Sequence, residues 1–289
     1  MRILCGLIAT LLLVACPAIG PIDDGSSLSR GWSNRGRLVH GMRLPARGDG
    51  YLVPPVWASR GNSWGTEEMV ALIVRAARRV AREEPGASLY VADLSPRRGG
   101  ASEWHHSHQS GRDADLIYFA VDEKGRPAEP PQQMIPYGAD GLSPAADDHR
   151  RPLPRLRFDT RRNWLLVRAL LEDPAVEVQW IFMYAPLKKL LLDYAVGLGE
   201  PRDLIERADA VLRQPEGALP HDDHMHVRVF CAPDDRALGC SDRGPYRWFR
   251  KNYKYLRSRD LSVELPASAL IQAARPFCLL PGSAIRADL

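Results

Sequence analysis

At 289 residues the chain is too long for a disulfide-stapled mini-protein, and burial on that scale supplies a core without metal or disulfide help. Hydrophobic residues at 45% and charged residues at 26% exclude wholesale disorder. A net charge of +4 suits an acidic substrate or surface, but with no aromatic-basic stripe it excludes a nucleic-acid-binding role.

Taken in chain order, the first element is a targeting segment. Met1-Arg2 is followed by an uncharged apolar run from Ile3 to Ala15, the length of a secretory signal and short of the roughly 20 residues of a spanning helix. The run ends Leu13-Val14-Ala15-Cys16. That ending resembles the bacterial lipoprotein signal, in which the cysteine is lipidated and becomes the first mature residue; a plain signal peptide is the alternative. Residues 1–15 are therefore set apart as a leader, with Cys16 as lipid anchor. Pro17 after Cys16 favours the outer membrane if the enterobacterial sorting rule applies. Residues 16–47, rich in Gly, Ser and Arg and without apolar periodicity, read as a tether and irregular N-terminal arm.

A domain is expected over 48–262, followed by an unpatterned tail over 263–289. Thr66 can cap a helix reaching about Glu84, with Met69, Leu72, Ile73, Ala76 and Val80 on one face. Leu89–Leu94 predicts a strand, Pro96–Gly100 a loop, and Asp113–Ala120 a second strand. Glu123–Pro154, crowded with Pro, Gly and Asp, reads as a long surface excursion. A helix is expected from Asp159 or Thr160 with Trp164, Val167 and Leu171 inward. It is followed by a strand over Val176–Tyr184, a helix opened by Pro186 and running through Ala195, a helix over Arg202–Leu212, and a strand over His224–Phe230. No repeat or boundary divides them, so a single α+β domain is the simplest architecture. In an exported protein the nearby pair Cys231/Cys240 is the natural disulfide, closing a short loop and leaving Cys278 over.

The chemistry lies in the histidines. Six of the eight fall in two short windows, His105 to His108 and His221 to His226. Packing does not call for such clusters, because each buried ring nitrogen needs a polar partner, whereas neutral imidazole is the commonest protein ligand for zinc. On a strand the alternation of side chains puts His224 and His226 on one face with Met225 on the other, and relates Asp113 to Asp115 in the same way. Gly111 allows a turn that brings His108 back toward Asp113. Two histidines and one carboxylate would satisfy a catalytic zinc, which keeps about three protein ligands and an open position.

These residues carry a resemblance. His105-x-x-His108-Gln109-x-Gly111-x-Asp113-x-Asp115 with His221-x-x-His224-x-His226 is similar to the penicillin-insensitive murein endopeptidases. That family lies within the wider group of zinc peptidases that includes lysostaphin-type enzymes, D-Ala-D-Ala peptidases and the hedgehog domain. The similarity runs from about Ser33 to Phe230 and takes in Ser33-Asn34 and Gly41 to Pro45. It implies a central antiparallel sheet, flanked by helices, that carries a Zn²⁺ held by His108, Asp115 and His226. It also implies a catalytic, non-ligand His224. D-Ala-D-Ala dipeptidases and carboxypeptidases of the group place a glutamate three residues before that histidine; this chain has His221 there, as the endopeptidase branch does. With no carboxylate base in that place, His221 or His105 shares its duties.

The implied activity is hydrolysis of the D-alanyl to meso-diaminopimelyl crosslink of peptidoglycan in the periplasm, with Arg97, Arg98 and Arg112 facing the stem carboxylates. A D-Ala carboxypeptidase or dipeptidase and a non-catalytic, zinc-stabilised cell-wall-binding lipoprotein are the alternatives. Two departures stand out. Arg35, Gly36 and Arg37 occupy the place where the family carries a cysteine. Asp147-Asp148-His149 does not match the spacing of the family's accessory ligand pair, so those residues are not assigned.

Overall fold

The computed structural model describes residues 25–244. The leader, Cys16, Cys278 and the tail lie outside the described residues, so the expectations for them are not addressed by the fold.

The arm is not irregular. Leu28–Trp32 (β1) and Arg35–Val39 (β2) pair antiparallel across Ser33-Asn34. No apolar pattern marks the hairpin, because polar bonds hold it rather than an apolar face. Ser29 N–H donates to Asp235 (2.9 Å), Arg112 Nε donates to Ser29 Oγ (3.1 Å), and Gly31 exchanges backbone bonds with Gly239 and Ser241 (2.9 Å each).

Short strands follow at Met42–Arg43 (β3), Arg47–Gly48 (β4) and Tyr51–Leu52 (β5), then a one-turn helix, Pro55–Ala58 (α1), and Trp64–Gly65 (β6), which pairs with β3. Thr66 caps the helix Glu67–Glu83 (α2) as expected, its hydroxyl accepting from Met69 N–H. Met69, Leu72, Ile73, Ala76 and Val80 are all buried.

The strand expected over Leu89–Leu94 is regular only at Leu89–Tyr90 (β7), beside β5. Beyond it the chain still runs along Asp113–Ile117 (β8), with Ala92 N–H bonding Asp115 O (2.8 Å) and Asp115 N–H bonding Asp93 O (2.9 Å). Ala120–Asp122 (β9) and Leu156–Phe158 (β10) pair antiparallel and close the base of the excursion, within which Asp147 is tied to Arg151 and His149 is exposed.

Thr160–Leu171 (α3) is capped by Asp159, and its Asn163 is wholly buried, with Oδ1 accepting from Phe119 N–H (3.1 Å) and Nδ2 donating to Phe119 O (2.7 Å). Val178–Phe182 (β11) leads to Ala185–Leu198 (α4), which carries Pro186 in its first turn and ends at Gly199 in the left-handed region. Arg202–Val211 (α5), Leu212–Arg213 (β12), His224–Val229 (β13) and Pro233–Ala237 (α6) complete the described chain.

The main sheet has the order β12-β11-β13-β8. Two of its three pairings, β11–β13 and β13–β8, are antiparallel, as expected, but β12 runs parallel to β11, which makes the sheet mixed. A two-residue strand following a helix is too short to announce itself in sequence. Alternation divides the faces: Met225, Val227, Ala114, Leu116 and Ile181 join the core beside Trp164, Leu166 and Leu170 of α3. His224, His226, Asp113 and Asp115 fall on the other face.

Cys231 and Cys240 form the expected disulfide, bracketing α6 with their Cα atoms 6.0 Å apart. Replacing both with serine removes a short loop closure and is expected to cost about 2–3 kcal/mol in chemical denaturation under oxidising conditions. An unchanged midpoint would show that packing around Ser29 and Asp235 suffices without the bond.

Candidate metal and catalytic centre

Asp115 and His226 are direct partners on neighbouring strands, and His224 stands opposite Ile117. His108 reaches the same place from the loop before β8. It sits in the left-handed region at φ +62, where a side-chain-bearing residue is uncommon, and its backbone N–H bonds Asp113 (3.3 Å). Gly111 makes the turn the sequence suggested, at φ +78. A Cβ there would lie 2.6 Å from Leu38 and 3.0 Å from the Thr66 nitrogen, so glycine is required on both counts.

The structure brings all six candidate residues together. His105 and His108 have ring centroids 4.2 Å apart, His108 and His226 4.7 Å, His221 and His224 5.0 Å, and His221 and His226 5.6 Å. Possible metal donors fall into two groups, His105/His108/Asp115 and His221/His224/His226, each within 4.8 Å. The tightest set crosses these groups. Asp115 Oδ1 lies 3.2 Å from both His108 Nε2 and His226 Nδ1, and those two nitrogens are 3.3 Å apart.

Each of these imidazoles is oriented by its other nitrogen. His108 Nδ1 lies 2.7 Å from Leu94 O, which can only accept, so the proton is on Nδ1 and Nε2 carries a lone pair. His226 Nε2 donates to Asp113 Oδ1 (2.9 Å), leaving its Nδ1 free to face Asp115. His224 Nδ1 meets Asp223 (2.5 Å) and its Nε2 meets Asp115 Oδ1 (3.3 Å). His105 Nε2 meets Asp93 Oδ2 (3.0 Å), and its Nδ1 lies 3.7 Å from Asp115 Oδ2. His221 Nδ1 is buried with no hydrogen-bond partner among the described residues.

Asp115 is the centre of this arrangement. It is 1% exposed, and neither carboxylate oxygen has a hydrogen-bond partner among the described residues. Burial alone would raise its pKa, but the imidazoles around it, with cationic His224 at 3.3 Å, outweigh burial and hold it well below the usual carboxylate range. Asp113 is likewise pushed up by burial and brought down further by the Arg228 guanidinium and by His226. Burial disfavours the His224 imidazolium, yet Asp115 and Asp223 lift its pKa to about 10. His221 goes the other way, to about 4, through burial and the neighbouring His224 and His226.

The outer carboxylates were not assigned roles from sequence. Asp223 adjoins His224, which was a visible signal. Asp93 was hidden as one acid in the apolar run Leu89–Leu94, and Asp113 was noted only as the companion of Asp115. Arg112, expected to face substrate, is 2% exposed. It bonds Ser29, Val229 O, Asp242 and Ser241 O, which makes it an internal clamp on the arm; Arg97 and Arg98 are exposed as expected.

The sequence profile described as penicillin-insensitive murein endopeptidase matches residues 29–248. A Haemophilus influenzae protein of that name is 26% identical over 240 residues, covering 79% of this chain and 76% of its own. Klebsiella pneumoniae and Escherichia coli proteins of the same name are each 27% identical. Their alignments cover 76% of this chain and, respectively, 72% and 71% of their own lengths.

The Arg228–Asp113 pair yields a pH prediction. A carboxylate whose folded pKa lies below its unfolded value contributes stability that is complete above the unfolded value, near 3.9, and is lost as pH falls toward the folded one. Arg228→Gln lets burial raise Asp113, so metal-free protein should lose roughly 3 kcal/mol at neutral pH and unfold in acid at a higher pH than the parent. Circular dichroism across an acid titration measures both, and coincident curves would count against Arg228 as the counter-charge.

Proposed function

The chain belongs to the penicillin-insensitive murein endopeptidase family, and on that premise we propose that the histidine cluster is a zinc peptidase centre. Its substrate on this reading is the D-alanyl to meso-diaminopimelyl crosslink of peptidoglycan. The observation that carries the reading is Asp115: an ionised carboxylate, buried, without hydrogen bonds to either oxygen, and faced by imidazole lone pairs. Such a group is stable only next to positive charge. His108 Nε2, His226 Nδ1 and Asp115 Oδ1 would hold the ion, with the main sheet carrying two of the three. Their spacings of 3.2 and 3.3 Å fit the edges of a tetrahedron of about 3.3 Å that bonds of roughly 2.0–2.1 Å generate.

When bound, the ion supplies Lewis acidity to the scissile carbonyl and lowers the pKa of water toward neutrality. The remaining work falls to side chains. Protonated His224, held by Asp223, donates a hydrogen bond to the negative charge that develops on the carbonyl oxygen. His105, backed by Asp93, takes the proton of the attacking water and delivers it to the leaving amine. His221, kept neutral by burial and by the neighbouring His224 cation, shapes the wall beside His224 and His226. Exposed Arg97 and Arg98 stand on the loop before His105, where stem carboxylates would pass.

The same reading places the enzyme in the periplasm, tethered through a lipid on Cys16. No helix among the described residues is long and apolar enough to cross a membrane.

Purified protein incubated with crosslinked muropeptide dimers should yield monomers with zinc and none with a chelator; dimers that persist with zinc present would falsify the endopeptidase reading. His108→Ala and His226→Ala should lose most bound zinc by elemental analysis, and Asp113→Ala should weaken zinc binding about 10–100-fold in a chelator competition. Undiminished metal in the first two would overturn the ligand set. Labelled palmitate should enter the parent and not Cys16→Ser; equal labelling would remove the anchor.

A further inference from the structure

Asp93 belongs to no motif, yet it is 1% exposed and lies against the cluster. Its Oδ2 meets His105 Nε2 at 3.0 Å and Arg60 Nη1 at 2.8 Å. Its backbone carbonyl accepts Asp115 N–H (2.9 Å), and the next carbonyl, that of Leu94, accepts His108 Nδ1 (2.7 Å). Two consecutive residues thus orient two histidines and fix the strand position of the central carboxylate. Arg60 is itself braced, its guanidinium carbon 4.2 Å from the Trp104 ring centroid and 5.8 Å from that of Trp57. Its guanidinium lies 2.8 Å from the buried Asp93 carboxylate as the counter-charge there.

We propose that Asp93, held by Arg60, is a positioning residue that fixes His105 as the Nε2–H tautomer, so that Nδ1 presents its lone pair to the reaction cleft. The inference rests on the assignment above of His105 as proton acceptor, and it says why that role falls to His105 rather than His221. A carboxylate only accepts, so neutral His105 must carry its proton on Nε2; the other tautomer would set a ring lone pair against Asp93 Oδ2. Nδ1 then lies on the Asp115 side, 3.7 Å from Oδ2. His221 Nδ1 has no such partner among the described residues. In the reaction, Nδ1 accepts a proton from the attacking water as the new C–O bond forms. The imidazolium, stabilised by Asp93, returns that proton to the amine nitrogen as the C–N bond breaks, leaving His105 neutral again.

Asp93→Asn and Asp93→Leu separate positioning from packing. An asparagine oxygen in the Oδ2 place still accepts from both His105 and Arg60; leucine accepts from neither. Long-range ¹H–¹⁵N spectra of the zinc-loaded full chain should show His105 protonated on Nε2 in the parent and in Asp93→Asn, and no longer fixed there in Asp93→Leu. On muropeptide dimers, Asp93→Leu should lower kcat about 10–100-fold at near-constant KM and full zinc content, with Asp93→Asn recovering most of the loss. On a His105→Ala background, Asp93→Leu should add nothing.

The proposal is overturned if the parent carries the proton on Nδ1, a measurement that needs no variant to fold. It is also overturned if Asp93→Leu sheds zinc, or if its effect persists without His105. The tautomer is read without substrate. A chain that cut no crosslink would sink the endopeptidase reading and leave this one to be decided by the spectrum.

Discussion

A buried carboxylate with neither oxygen hydrogen-bonded among the described residues is among the costliest things a fold can hold, at several kcal/mol per ion. Asp115 is that group, and the surrounding architecture follows from keeping it charged. Its strand is flanked on one side by β13, which brings His226 and His224, and on the other by the irregular stretch through Asp93, which brings backbone bonds to both sides of residue 115. The apolar alternates of the same strands, Ala114, Leu116, Met225 and Val227, are buried in the same hydrophobic core as α3. Geometry for chemistry and packing for stability are two faces of one strand pair.

Around this centre a single rule repeats. A histidine bonded through one nitrogen to a fixed acceptor has its tautomer, ring plane and free lone pair decided together. For His108 the acceptor is a backbone carbonyl, for His226 the carboxylate of Asp113, for His105 that of Asp93, and for His224 that of Asp223. The neutral acceptor and the one shared with Arg228 go to the two imidazoles proposed as ligands. The histidines proposed to move or share protons are backed by carboxylates as well, that of Asp93 shared with Arg60 and that of Asp223. His221 has neither kind of partner, and it is the one whose pKa falls.

What could be read in the sequence was whatever a local pattern encodes. α2 and α3 announced themselves through their caps and buried stripes, β13 through alternation, and the site through two histidine windows whose spacing packing does not require. Elements held by long-range polar bonds were silent: the β1–β2 hairpin hangs on Asp235, Arg112 and the α6 loop, roughly 200 residues away in sequence for Asp235. Arg112 misled for the same reason. A basic residue beside a motif looks like a surface contact until the chain closes over it. Asp93 was invisible because one acid in an apolar run is indistinguishable from a solvated strand position.

The placement of Asp93 and Asp223 bears on the glutamate that the carboxypeptidase branch carries where this chain has His221. Losing that carboxylate does not leave the site without acids to drive proton transfer. It moves them one bond further out, behind His105 and His224, on opposite flanks of Asp115. A proton can then be taken and returned on one flank while a hydrogen bond is given on the other. Such a division leaves a neutral imidazole rather than a carboxylate at residue 221, beside His224 and His226.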